Sequence, residues 1–147
     1  MLTVSALLHI KGHGVVCIEN TATLLQALQL MAEKDIGALI VTEKEKPVGI
    51  FSERDFARIA AKNQTIDLKI PVDSLVTRDV YCCTPDVTID EVMAIMTKMR
   101  IRHLPVKDSG KLIGIISIGD VVKNMIEDKD LLIQSMEKYI CGQGYGE

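Results

Sequence analysis

A seven-residue stretch occurs twice in this chain. Gly49-Ile50-Phe51-Ser52-Glu53-Arg54-Asp55 returns as Gly114-Ile115-Ile116-Ser117-Ile118-Gly119-Asp120, 65 positions later. The same offset holds without a gap over a long window: Val15 falls on Val80, Cys17 on Cys82, Thr23 on Thr88, Met31 on Met96, Leu39 on Leu104 and Val41 on Val106. Such self-similarity limits the fold more than any local propensity, because it demands two copies of one supersecondary unit.

The first copy reads as follows. Val15 to Ile18 is a short apolar run and predicts a strand. Thr23 and Gln26 have capping-box spacing, and Leu24, Ala27, Leu28 and Met31 follow as one helical stripe. Gly37 stands near the helix end, where a positive φ is often required. Ala38 to Thr42 and Pro47 to Phe51 predict two strands joined by the polar turn Glu43 to Lys46. Ser52 and Asp55 form a second capping-box pattern that opens a helix with Phe56, Ile59 and Ala60 on its inner face. The second copy repeats the order. Thr88 and Glu91 make the box; Ile89, Val92, Met93 and Met96 make the stripe. Leu104 to Lys107 and Leu112 to Ile116 are the strands, and Ser117 with Asp120 starts the last helix. Each unit reads β-α-β-β-α, an α/β (α+β) architecture of tandem repeats. The expected boundaries are 7–62 for the first repeat, 72–127 for the second, and 128–147 for a further helix (Leu131 to Ile140) with a mobile Gly-rich tail from Gly142.

Composition closes off several classes. The net charge is −3 and no Lys/Arg block occurs, which argues against a nucleic-acid surface. Five aromatic residues are too few for base-stacking platforms. No apolar run approaches the roughly 18 residues of a membrane span, and Met1 to Ile10 lacks the basic start of a secretory signal. Cys17, Cys82, Cys83 and Cys141 show no Cys-x-x-Cys spacing, so a reduced, cytoplasmic protein is expected, with Cys82-Cys83 as small buried residues. His9 and His13 have i, i+4 spacing, but Gly12 breaks the helix between them and no third ligand is visible, so no metal is expected. No Lys-Ser/Thr follows Gly114 or Gly119, which excludes a P-loop. No Ser/His/Asp or Cys/His set is evident, and an enzyme is not expected.

Two tandem β-α-β-β-α units, each ending in Gly-h-h-Ser-x-x-Asp (h, hydrophobic), resemble a CBS domain pair, also called a Bateman module. Arg100-Ile101-Arg102-His103-Leu104-Pro105-Val106 is similar to the start of that family's second-repeat strand. The resemblance covers nearly the whole chain, from about Leu7 to Lys123, and looks like a stand-alone pair related by a pseudo-twofold axis. It implies a regulatory module that binds an adenosine nucleotide (AMP, ADP or ATP), modulates an unidentified partner protein and assembles as a homodimer. NAD or S-adenosylmethionine as ligand, or a structural docking module with empty clefts, are the alternatives.

The residues suit such a ligand. Ser52 and Ser117 stand at strand-to-helix junctions, where free N–H groups and the helix dipole attract anions. An ionised Asp55 or Asp120 can accept from both hydroxyls of a ribose, and hydrogen bonds to charged groups contribute roughly 1.5–3 kcal/mol. Arg54 and Arg102, with His103, can meet phosphate. Ile36, Ile101, Val80 and Tyr81, with Val15, are candidates for the adenine slot, and Gly37 is a candidate at the strand entry. Ser-x-x-Asp is equally a plain helix cap, and the two roles can coexist. In the family a cleft typically takes its ribose Asp from one repeat and strand-start residues from the other. That crossing puts Ser52, Arg54, Asp55, Arg102 and His103 around one cleft. The other holds Ser117 and Asp120 opposite Gly37 and Ala38, with no arginine, and should suit AMP or adenosine.

Overall fold

Four helices begin with the same reciprocal bond pair. The Thr23, Ser52 and Thr88 side chains accept from the backbone of Gln26, Asp55 and Glu91, whose side chains accept in return from the cap N–H groups. Ser117 and Asp120 exchange the same two bonds, at 2.8 and 3.2 Å. Each box satisfies two backbone donors that a helix start otherwise leaves open. In the computed structural model, residues 2–140 are described. The order is α1 (Val4–Lys11), β1 (Cys17–Glu19), α2 (Leu24–Lys34), β2 (Ala38–Glu43), β3 (Lys46–Ser52), α3 (Glu53–Asn63), a 3-10 turn (Val72–Leu75), α4 (Ile89–Met99), β4 (His103–Asp108), β5 (Lys111–Ser117) and α5 (Ile118–Ile140). Gly142 to Glu147, expected as a tail, and Cys141 lie outside the described residues.

The two hairpins match residue for residue. β2 pairs antiparallel with β3, Ala38 opposite Ser52, with a register shift after Val41; β4 pairs with β5, His103 opposite Ser117, with the shift after Val106. Both turns use two residues of positive φ, Lys44 and Glu45 or Ser109 and Gly110, the twist that a tight hairpin requires. The helix ends match as well. Asp35 (φ 52°) and Arg100 (φ 54°) are left-handed C-caps of α2 and α4. Gly37 was expected to supply that positive φ, but Asp35 does so instead.

One difference separates the repeats. β1 pairs parallel with β2 over three residues, whereas Cys83 makes only a single parallel bridge to Val106. The cause is Pro105. Its counterpart Ile40 donates its N–H to the Val16 carbonyl at 3.1 Å. Proline has no N–H to give the matching carbonyl of Tyr81. The β-α-β-β-α order is therefore complete in the first repeat, and its first strand shrinks to a bridge in the second.

The chain crosses between repeats twice. α1 precedes the first repeat but packs in the second. The N–H groups of Val4 and Ser5 donate to the carbonyls of Val87 and Pro85. Val4, Leu7 and Leu8 join Val92, Met96, Leu104, Val106, Ile116 and Val121 in one buried cluster. The segment before the second repeat packs in the first. Val72 donates to the Ala22 carbonyl, and its side chain lies with Leu24, Ala27, Met31, Leu39, Val41 and Phe51. Met31 and Met96 are core, as their helical spacing suggested. Cys83 is buried, while Cys82 is half-buried and Cys17 exposed. α5 runs unbroken for 23 residues, joining the two helices expected from the sequence, because neither Gly nor Pro interrupts it after Gly119. Among the described residues no helix is long and apolar enough to cross a membrane.

Leu8 and Val72 are each 0% exposed, at the point where outside chain enters a core. Leu8→Ala should lower unfolding free energy by about 2–5 kcal/mol, the range for a buried Leu truncation. Val72→Ala should act in the same direction on the other core. Urea melts by far-UV circular dichroism check both, and each variant should still unfold in one transition, because each core contains chain from the other side.

Candidate ligand clefts

Ser52 ends β3 and caps α3. Asp55 Oδ2 accepts from the Ser52 N–H at 2.8 Å and from its hydroxyl at 2.9 Å. The remaining oxygen, Oδ1, accepts from the Thr77 hydroxyl at 3.3 Å. Thr77 belongs to the lead-in of the second repeat, and this segment runs antiparallel to β3 through two backbone bonds with Ile50, of 2.9 and 3.0 Å. The first cleft is thus walled by both repeats. Beside it lies an open recess of about 110 Å³, whose lining includes Ile40 and Gly49 from the first repeat and Arg78, Val80, Cys82 and Pro105 from the second.

Arg54 reaches across as well. Its Nη1 donates to the Arg100 carbonyl at 2.5 Å, at the C-cap of α4. A guanidinium there complements the negative end of the helix, and the accepting residue, Arg100, is followed in the chain by Ile101 and Arg102. The two strand starts meet on the other side. A Cβ added to Gly37 would lie 3.4 Å from His103 Cε1 and 3.5 Å from the Glu53 carboxyl carbon. These are ordinary van der Waals distances, and they place the start of β2 against the imidazole and the α3 start. Burial holds the His103 pKa below its ordinary value; the charges of Lys11 and Arg102 act in the same direction, and Glu53 and Asp120 oppose them. His103 also pairs in register with Ser117, so it stands between the two clefts rather than in one.

The second cleft has the same frame and a different charge. Asp120 Oδ2 accepts from the Ser117 N–H at 2.8 Å and from Lys11 Nζ at 2.5 Å. Lys11 Nζ also donates to the Ile115 carbonyl at 2.6 Å. Burial acts to raise the Asp120 pKa, but the bonds from Lys11 and Ser117 and the lysine charge outweigh it, and the pKa is lowered. His13 Nδ1 lies 2.9 Å from the Ile113 carbonyl.

The remaining candidates divide. Val80 lines the recess. Ile36 and Ile101 are half-buried against the first and second cores. Tyr81 is 51% exposed and is not part of the recess lining. Arg102 is exposed. Sequence reasoning missed Thr77, Arg78 and Lys11. Carrying the 65-residue register back a few positions aligns Lys11-Gly12-His13 with Val76-Thr77-Arg78, which matches the two segments but not their side chains. Among the described residues, no group of three or more His, Cys, Asp or Glu is placed to hold a metal.

The two carboxylates also hold helix starts, so Asp55→Ala or Asp120→Ala would remove the bond that each returns to its cap N–H. Asn keeps the acceptor oxygen and is the cleaner probe of charge. His103 predicts a pH effect. Its folded pKa lies below 6.5, so its contribution is whole above that value. It is lost as pH falls from 6.5, because the unfolded chain takes up the proton first. The wild type should lose stability between pH 7.5 and 5.5, by urea midpoint, and His103→Gln should flatten that part of the profile.

Comparison with known proteins agrees with the repeat. The sequence pattern that defines the CBS domain matches residues 9–62 and 72–127. A 17.7 kDa uncharacterized protein of Acidianus ambivalens is 36% identical over 132 residues, covering 88% of this chain and 79% of its own. The crystal structure of the CBS-domain-containing protein ATU1752 from Agrobacterium tumefaciens is similar with a TM-score of 0.80 and 39% identity, over 84% of this chain and 98% of that one. The CBS domain protein PAE2072 from Pyrobaculum aerophilum, solved in complex with AMP, has a TM-score of 0.68 at 25% identity, over 81% of this chain and 89% of that one.

Proposed function

The chain belongs to the CBS domain family, and from that premise we propose that it is a regulatory module that binds an adenosine nucleotide between its repeats and passes its occupancy to a partner protein. The observation that carries this reading is the composite cleft: a Ser-x-x-Asp helix start from one repeat faces the lead-in segment of the other. A helix start draws phosphate through free N–H groups. A carboxylate at the same place selects a ribose diol over apolar ligands. The AMP complex of the Pyrobaculum relative supports an adenosine-type ligand.

We assign Ser52, Arg54, Asp55 and Arg102 to the first cleft, with Val80 along the base, the exposed Tyr81 beside it and His103 shared with the second cleft. Ser117 and Asp120 serve the second, opposite Gly37. Ile36 and Ile101 back the two slots from the cores. AMP, ADP and ATP are the ligands to test first, with NAD and S-adenosylmethionine beside them. One observation favours a docking module with empty clefts: both carboxylates already have partners within the chain.

Thermal shift with the five ligands, followed by calorimetry, separates these readings. AMP should raise Tm, since a ligand at a hundredfold excess over Kd stabilises by about 2.7 kcal/mol. Asp55→Asn and Asp120→Asn should each weaken AMP about tenfold or more at their own cleft. If both variants bind as the wild type does, the ribose role is wrong; if no ligand shifts the wild type, the docking reading stands.

We also assign a homodimer built on the helices. Val122, Ile126, Leu132, Ile133 and Met136 leave a long apolar stripe of α5 at 45–56% exposure, more contiguous apolar surface than a monomer usually shows. Light scattering at micromolar concentration should give twice the chain mass, and Leu132→Glu with Met136→Glu should lower it. A monomeric wild type, with or without AMP, refutes the assignment.

A further inference from the structure

The repeat register sets Lys11-Gly12 against Val76-Thr77, and each pair is the segment that meets the other repeat's carboxylate. At the first cleft the apolar Val76 turns toward β3, where a Cβ on Gly49 would lie 2.3 Å from its Cγ1. That leaves Asp55 to a neutral donor, the Thr77 hydroxyl. At the second cleft the pair is reversed in chemistry. Gly12 has no side chain to offer, and Lys11 places its ammonium on Asp120 and the Ile115 carbonyl. The lysine and aspartate side chains are 28% and 23% exposed, so this pair is better sheltered than the Arg78–Asp73 pair at 54% and 41%.

We propose that Lys11 sets the ligand class of the second cleft: it holds Asp120 when the cleft is empty and must be taken over by an anionic group, a phosphate, when a ribose binds there. The proposal rests on the nucleotide reading above. A neutral nucleoside offers its diol to Asp120 but displaces the ammonium from its counter-ion and leaves it with a single carbonyl. An uncompensated, partly buried cation is costly. A nucleoside phosphate brings the replacement charge, and lysine serves phosphate as a compact point charge on a flexible stem. At the first cleft a hydroxyl rotates away from Asp55 with no charge left behind. This narrows the expectation from the arginine count, under which the second cleft suits AMP or adenosine, to the phosphate-bearing ligand.

The test is calorimetry of AMP and adenosine on the full chain carrying Asp55→Asn, which weakens the first cleft so that the heat reports the second. AMP should bind about tenfold tighter than adenosine, the scale of one charge-assisted contact. Adding Lys11→Met should bring the two within about twofold, by tightening adenosine and weakening AMP together. Lys11→Arg should keep the preference. An AMP-to-adenosine ratio unchanged by Lys11→Met overturns the proposal. So does an Asp55→Asn protein that binds neither ligand while the wild type binds AMP. If the wild type binds neither, the nucleotide reading itself is wrong, and the proposal falls with it.

Discussion

Each core is completed by chain that arrives from outside its own repeat. α1 fills the second core and the segment around Val72 fills the first. The burial is a stability term, since fully burying one Val or Leu side chain is worth about 1.5–3 kcal/mol. It is also a positioning term. Once Leu8 is seated, Lys11 comes down beside Asp120; once Val72 and its neighbours are seated, Thr77 comes down beside Asp55. The clefts are therefore by-products of how the cores close.

A second constraint is close backbone approach. A side chain at Gly49 would meet the Thr77 carbonyl at 2.4 Å, and one at Gly114 would meet Leu8 Cδ2 at 2.7 Å. These are the glycines that open the two Gly-h-h-Ser-x-x-Asp motifs. They let the lead-in segments lie against β3 and β5, and so hold the partners of the carboxylates in reach. The first motif residue is there for spacing, and the last two for capping and for the cleft.

Much of this was legible in the sequence. The capping boxes, hairpins and helical stripes follow from spacing that acts within a few residues. Gly37 was misread because α2 ends two residues earlier than the glycine suggests, and Asp35 takes the left-handed cap. The shortened first strand of the second repeat was available from Pro105, whose missing N–H sits in register with Ile40. The crossing of α1 was not legible. Periodicity says which face of Val4–Lys11 is apolar but does not say against which repeat that face closes. Lys11 escaped for the same reason, since its partner Asp120 is more than a hundred residues away.

α5 starts at the Ser117 cap, carries Asp120 in its first turn and continues without a break to residue 140. At 1.5 Å per residue it is a rod of about 35 Å. Its base stands in the second cleft, and its far half carries Leu131, Leu132, Ile133 and Met136 clear of both cores. A rod of that length acts as a lever: a tilt of about 5° at the base swings the tip by about 3 Å. A small change of angle at the Asp120 end therefore becomes a displacement of ångströms at the far end of the helix.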